Sequence, residues 1–327
     1  MSADLRRLVV WFAEVRRDLP WRRPEAGPWG VLVSEVMLQQ TPVVRVLPVF
    51  ELWLRRWPTP AALAAEPSGE AIRAWGRLGY PRRALRLHAA ATAIVAEHGG
   101  RVPDDLDHLL ALPGVGTYTA RAVAAFAHGR RHAVIDTNVR RVVARWQQGR
   151  ADLASMSLTT VESLLPDEDD DAVTVSAALM ELGALVCTAR APRCDRCPFA
   201  VSCAWRAAGF PASATPVRRR QTYAGTDRQV RGRMLALLRE ATGPPARRDL
   251  LAVCPDPQQA LRALTGLLDD GLLEAYGDDL VTLPGSASAA SPASPASPAG
   301  SGAFEQSGVE GETGPEGHRD DRTGLVG

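Results

Sequence analysis

Lysine is absent from this chain: all 38 basic side chains among its 327 residues are arginine. Chemistry that needs a side-chain amine to form an imine is therefore excluded, leaving only the N-terminal amine for such a step. No apolar run reaches 18 residues and no N-terminal secretory pattern is present, which argues against membrane insertion and export. A strong charge of either sign is missing too, but the formal +1 hides an asymmetry. From Ser286 to Gly327 there are six acidic residues and two arginines, Arg319 and Arg322, so residues 1–285 carry +5. That surplus modestly favours a polyanionic partner. The length exceeds one ordinary core and suggests two or three domains.

What is present is mostly helical pattern. Leu5, Leu8, Val9, Phe12 and Val15 make an apolar stripe, ended by Leu19-Pro20-Trp21-Arg22. Helices are expected over Trp29–Thr41, Val43–Trp57, Pro60–Glu66, Glu70–Leu78, Arg83–His98 and Asp104–Leu112, with short loops between. Another follows Asp136, weaker helical pattern runs through the acidic stretch 151–171, and a long helix spans Ala172–Cys187. This is an all-α pattern. After a Pro/Ala-rich linker and Arg218-Arg219-Arg220 come three short helices. Two strand-like runs follow, Gly271–Glu274 and Leu280–Leu283, so 225–284 reads as a small winged-helix-like module. Beyond it the Ser-Pro-Ala repeats cannot build a core, and 285–327 is expected to be disordered.

Four features carry chemistry, each with a bland alternative. Leu112-Pro113-Gly114-Val115-Gly116-Thr117-Tyr118-Thr119 joins two helices, with Gly116 expected to permit the reversal. Its backbone N–H groups, beside a helix start, suit a phosphate, or it is an ordinary helical hairpin. Glu35 interrupts an apolar run, and is either a partly buried acid or a surface or capping carboxylate. Asp136 stands between an apolar run and a helix, as a site residue or a simple N-cap. Cys187, Cys194, Cys197 and Cys203 are spaced 6-2-5; the set suits a [4Fe-4S] cluster, a zinc ion or free thiols. The fifth cysteine, Cys254, reads as buried packing, and His88 and His98 as ordinary histidines.

Taken together, Ser34-Glu35-Val36-Met37-Leu38-Gln39-Gln40-Thr41, the Leu112–Gly116 turn, Val134-Ile135-Asp136-Thr137-Asn138 and the cysteine run resemble adenine DNA glycosylases. These belong to the helix-hairpin-helix glycosylase superfamily. The resemblance covers about residues 1–210 and implies the all-α helix-hairpin-helix fold in two helical lobes. The lobes would be 1–24 with 133–210, built round an iron–sulfur cluster loop, and 25–132, followed by a linker at 211–224. It implies a [4Fe-4S] cluster on the four cysteines. It gives Glu35 as catalytic acid, Asp136 as the carboxylate stabilising the transition state, Tyr118 as a supporting tyrosine and Asn138 as a residue near the sugar and water. Gln40 matches the side chain inserted into the base stack, Tyr80 one that packs beside the lesion, and Gly114, Val115 and Gly116 the phosphate-binding turn. Pro81 departs from a frequent second tyrosine, and no Nudix-like domain for reading 8-oxoguanine is evident.

The implied substrate is duplex DNA with adenine mispaired to guanine or 8-oxoguanine, and the implied protein a monomeric, nucleoid-associated cytoplasmic enzyme with no membrane partner. The chemistry agrees. Adenine leaves only when a ring nitrogen is protonated, and a carboxylate steadies the oxocarbenium ion that forms. One protonated and one ionised carboxyl is the division used in glycoside hydrolysis. An endonuclease III-like glycosylase/lyase is the enzyme rival, weakened because Tyr118 stands where its lysine would be. A non-catalytic iron–sulfur DNA-binding protein is the other.

Overall fold

Where apolar residues recur every three or four positions the chain is helical, and each helix turns that stripe inward. The structure, a computed structural model, describes residues 1–151, 156–213 and 223–286. Helix α1 (Ala3–Val15) is capped by Ser2 and buries Leu5, Leu8 and Phe12. Helix α2 (Gly27–Leu38) has no polar face, and Trp29–Met37 are all buried. Helix α3 (Val43–Arg56) buries Val46, Phe50 and Trp53. Helices α4 (Pro60–Ala64), α5 (Ser68–Trp75) and α6 (Arg82–His98) follow. Helices α7 (Leu106–Ala111) and α8 (Thr117–His128) form the hairpin. Then come α9 (Thr137–Gln148), α10 (Leu158–Glu162), α11 (Asp169–Leu185) and α12 (Ala204–Ala207). The acidic stretch 151–171 is less helical than its composition suggests: only α10 and the start of α11 are helical there, and 152–155 lie outside the described residues.

Two apolar clusters anchor these helices. One gathers the inward faces of α2 to α8 around Trp53, which meets Trp57 and Trp75 edge-on at 4.6 and 5.6 Å. The other joins α1, α9 and α11 through Leu8, Val143 and Leu179, with Trp146 stacked on Phe199 at 4.0 Å. Ala122, Ala125 and Val134 make a small patch of their own. Among the described residues no helix is long and apolar enough to cross a membrane.

The all-α class stands, but two parts of the expected architecture are corrected. Helices α13 (Asp227–Glu240), α14 (Arg247–Leu251) and α15 (Pro257–Asp269) are followed by a hairpin of β1 (Glu274–Tyr276) and β2 (Leu280–Thr282). They do not make a separate winged-helix module. Val230, Met234, Leu238, Leu264 and Leu267, through which α13 and α15 pack on each other, run on into the same apolar cluster as Trp53, so no separate core is closed off from the lobe. Polar ties cross the same seam: Arg239 Nε donates to Ile72 O at 3.0 Å and Gly69 N–H to Pro284 O at 2.7 Å. A Cβ on Gly69 would lie 2.7 Å from that oxygen, so only glycine admits the approach. The first strand is also later than expected, because Leu272 and Leu273 are buried ahead of it rather than paired in it.

The second correction concerns the lobe expected around an iron–sulfur cluster loop. Among the described residues no group of three or more His, Cys, Asp or Glu side chains is gathered to hold a metal ion. Residues 187–203 are shaped instead by short backbone turns and by Arg145, which donates to Thr188 O at 2.8 Å and Ala189 O at 3.1 Å. The expected disordered tail from 287 onward and the linker residues 214–222, with Arg218-Arg219-Arg220, lie outside the described residues.

Candidate active site

Burial of α2 on every side leaves Glu35 6% exposed among apolar neighbours. Desolvation pushes its pKa from 4.5 to about 7; hydrogen bonding from Tyr118 opposes that rise, the negative field of Asp136 adds to it, and Arg22 opposes it again. Tyr118 comes from the first turn of α8. Its phenol is pushed well above its ordinary value by burial and by the Glu35 and Asp136 carboxylates, so it is a neutral hydrogen-bond donor. Glu35, Tyr118 and Asp136 line one cleft of about 1210 Å³.

Asp136 turns out to be both a helix cap and a cleft residue. Its Oδ1 accepts the Val139 N–H at 2.7 Å and its Oδ2 accepts Asn138 Nδ2 at 2.7 Å. Burial raises its pKa, while these two donors and the Arg141 charge favour the ionised form. Asn138 is itself held, its Oδ1 accepting from Arg141 at 2.7 Å, and Arg141 reaches on to Gly183 O and Cys187 O at 2.7 and 2.6 Å. The two carboxyl groups thus share a cleft but not an environment. Burial raises both, but at Asp136 the Val139 and Asn138 donors offset part of the rise.

The hairpin turn lies apart from that cleft. Its reversal falls at Gly114, with φ +77°, where a Cβ would come within 2.5 Å of Arg86 Cβ. Gly116, expected to make the reversal, is extended at φ −97°. Val115 is buried and its N–H donates to Leu112 O at 3.1 Å, so the outward donors are those of Gly116 and the first turn of α8. Gln40 and Tyr80 share a rarer feature. Both are non-glycine residues in the left-handed region, at φ +55° and +48°. Gln40 lines the cleft, whereas Tyr80 is exposed outside it, with the guanidinium of Arg228 from α13 4.7 Å from its ring centroid.

Residues 33–166 match the family described as HhH-GPD superfamily base excision DNA repair protein. The chain is 55% identical over 288 residues to the adenine DNA glycosylase of Mycolicibacterium smegmatis, covering 87% of this chain and 97% of that one. It belongs to the adenine DNA glycosylases of the HhH-GPD superfamily. A second relative, the adenine DNA glycosylase of Mycobacterium tuberculosis, is 54% identical over 283 residues, covering 85% of this chain and 92% of its own length. The solved structure of a thermostable thymine-DNA glycosylase is similar with a TM-score of 0.57 at 26% identity, covering 62% of this chain and 95% of that one.

For a chain of this family the cleft holds one cluster that the sequence reading passed over. Glu181, 0% exposed on α11, accepts from Arg17 N–H (3.0 Å), Arg17 Nε and Nη2 (both 2.8 Å) and Arg22 Nη2 (2.9 Å). These bonds outweigh burial and bring its pKa down to about 2. Its signal in the sequence was the one that marked Glu35, a lone carboxylate in an apolar helix. The cysteines are not part of the cleft. Cys187, Cys194, Cys197 and Cys203 are half-buried and form no disulfide, and burial pushes the Cys197 thiol up to about 12. Cys254 is buried and donates to Gln259 Oε1 at 3.3 Å, in keeping with a packing role.

Proposed function

We propose that this chain hydrolyses the N-glycosidic bond of adenine in duplex DNA, acting where adenine is mispaired with guanine or 8-oxoguanine. One observation carries the reading: a carboxyl group with a pKa of about 7 shares a cleft with a second carboxyl group that accepts hydrogen bonds from Val139 N–H and Asn138 Nδ2. Glu35 is half protonated at neutral pH and can deliver a proton to N7 of the extruded base. Asp136 then faces the positive charge developing at C1′. Having lost its proton, Glu35 can take one from the attacking water. Trp21 and Met180 give the cleft apolar walls, and the Glu181–Arg17–Arg22 cluster a polar edge for the purine. A mispair lowers the cost of taking the base out of the stack.

With no lysine and with Tyr118 at the hairpin, the reaction ends at hydrolysis. Duplexes carrying adenine opposite each of the four bases and opposite 8-oxoguanine test this directly. Free adenine should appear from the guanine and 8-oxoguanine pairs, with strand breaks only after alkali. Immediate scission with a borohydride-trapped adduct would point to the lyase rival instead.

For the cofactor we carry forward the [4Fe-4S] assignment as a proposal resting on donor chemistry. Four soft thiols at 6-2-5 spacing are the ligand type such a cluster takes, and it would act as a structural element away from the cleft. Iron and sulfide analysis of anaerobically purified protein should find about four irons per chain. One zinc and no sulfide would remove the assignment.

A further inference from the structure

A single guanidinium joins the two left-handed turns. Arg83, in the first turn of α6, is buried. Its Nη1 donates to the carbonyls of Val36 (2.7 Å), Met37 (3.0 Å) and Gln39 (2.7 Å). Its Nη2 donates to Thr41 Oγ1 (3.0 Å) and to Gly79 O (3.1 Å). These acceptors come from the C-terminal end of α2, from both neighbours of Gln40, and from the residue before Tyr80. The guanidinium also lies 5.2 Å from the Trp75 ring centroid and 5.7 Å from that of Tyr80, and Trp75 Nε1 donates to the same Gly79 oxygen at 3.0 Å.

Nothing in this arrangement is an ion pair. Among the described residues no carboxylate bonds Arg83, and burial pulls its pKa down only to about 10, which leaves it charged. A buried charge without a counter-charge is costly, and a packed apolar side chain would be cheaper if filling space were its whole task. What the charge meets instead is a set of carbonyl dipoles, three from the end of α2 where the macrodipole is negative. A non-glycine residue in the left-handed region is strained, and it persists where its surroundings over-determine it. At Gln40 and Tyr80 that surrounding is shared.

We propose that Arg83 is a positioning residue for base extrusion: it locks the Gln40 and Tyr80 turns into one wedge, tied through α2 to Glu35. This rests on the reading that the protein takes adenine out of a duplex. Lysine cannot replace it, because one ammonium lacks the planar fork that reaches α2, Thr41 and Gly79 together.

The test uses the full chain with Arg83→Lys and Arg83→Met, each normalised to folded active sites. Two readouts are taken: single-turnover adenine release, and fluorescence of 2-aminopurine in place of adenine in a duplex. Both variants should lose about 100-fold in release, the scale of a small misplacement, with a parallel fall in the extrusion signal. The pH midpoint of release should stay at its wild-type value, since the Glu35 pKa is set by burial, Tyr118, Asp136 and Arg22 and not by Arg83. Thr41→Val, which removes one acceptor, should cost about threefold. If Arg83→Met does not fold, Arg83→Lys decides. Release and extrusion within about twofold of wild type, whatever the melting temperature, would overturn the proposal. A wild-type protein that extrudes 2-aminopurine but releases no adenine would instead overturn the functional reading, and the extrusion assay alone would then decide this one.

Discussion

Two carboxylates on two apolar helices face the same cleft and are driven in opposite directions. Glu35 on α2 meets mainly hydrocarbon and one phenol, and its pKa rises to about 7. Glu181 on α11 is even more deeply buried, yet two arginines surround it and its pKa falls to about 2. Burial alone therefore does not decide the protonation state of a buried acid; the donors placed around it do. The first arrangement stores free energy in a proton that can be given away. In the second, the same residue type becomes a fixed anion that organises its neighbours.

The largest effect should come from breaking the first of the pair. Glu35→Gln keeps the shape and removes the proton, and single-turnover adenine release should fall at least about 10³-fold while mismatch binding persists. Release by the wild type should decline as pH rises through about 7, and the variant should lack that limb. Stability of the wild type should fall in the same direction. A folded pKa above the unfolded one means that the folded state binds the extra proton, so stability is lost as pH rises from 4.5 to about 7. The penalty above that range is at most roughly 3 kcal/mol, and Glu35→Gln should remove it, raising Tm at pH 8 but little at pH 4.

Glu181→Gln breaks the other half. It leaves Arg17 and Arg22 short of a counter-charge and should cost about 3 kcal/mol at neutral pH, read from urea melts. Here the folded pKa is depressed, so the contribution is present above 4.5 and fades as pH falls toward about 2. The variant's deficit should accordingly shrink in acid. A pH-independent deficit would mean that shape, not charge, is what the arginines need.

Asp136→Asn sharpens the contrast rather than breaking it, because it changes the other reacting carboxylate. The rate should fall about 10²-fold from loss of charge near C1′. Since Asn also caps helices, Tm should move little. The smallest effect is expected outside the cleft. Arg228→Ala removes an exposed cation–π contact with Tyr80 and should weaken duplex binding only about threefold at fixed salt.

The sequence showed much of this, but unevenly. Helices such as α3 and α6 were legible because an apolar stripe and proline or glycine stops are local signals. Glu35 was legible for the same reason, as an acid out of place in an apolar run. Glu181 carried that signal too, but its partners lie at the end of α1 and in the turn after it, and no local pattern joins them to α11. Asp136 reads equally as a cap or a site residue, and it is both, capping α9 through Oδ1 while lining the cleft. The placement of α13 and α15 on the lobe was invisible, since an amphipathic face does not say what will cover it. Leu272-Leu273 misled because a buried apolar pair resembles a strand whether or not it is hydrogen-bonded as one.

The seam between Gly69 and Pro284 also has a genetic consequence. The superfamily match ends at residue 166, and every side chain lining the cleft precedes residue 185. Yet the apolar cluster around Trp53 is completed only by residues up to Leu283. The apolar cluster and the superfamily match thus end in different places along the chain. A nonsense allele stopping just after Phe210 would encode the whole reaction centre and still leave that cluster open to water, a far larger loss than the marginal stability of a domain can absorb. Such an allele should behave as a null, and null alleles should map to the C-terminal helices as readily as to the cleft.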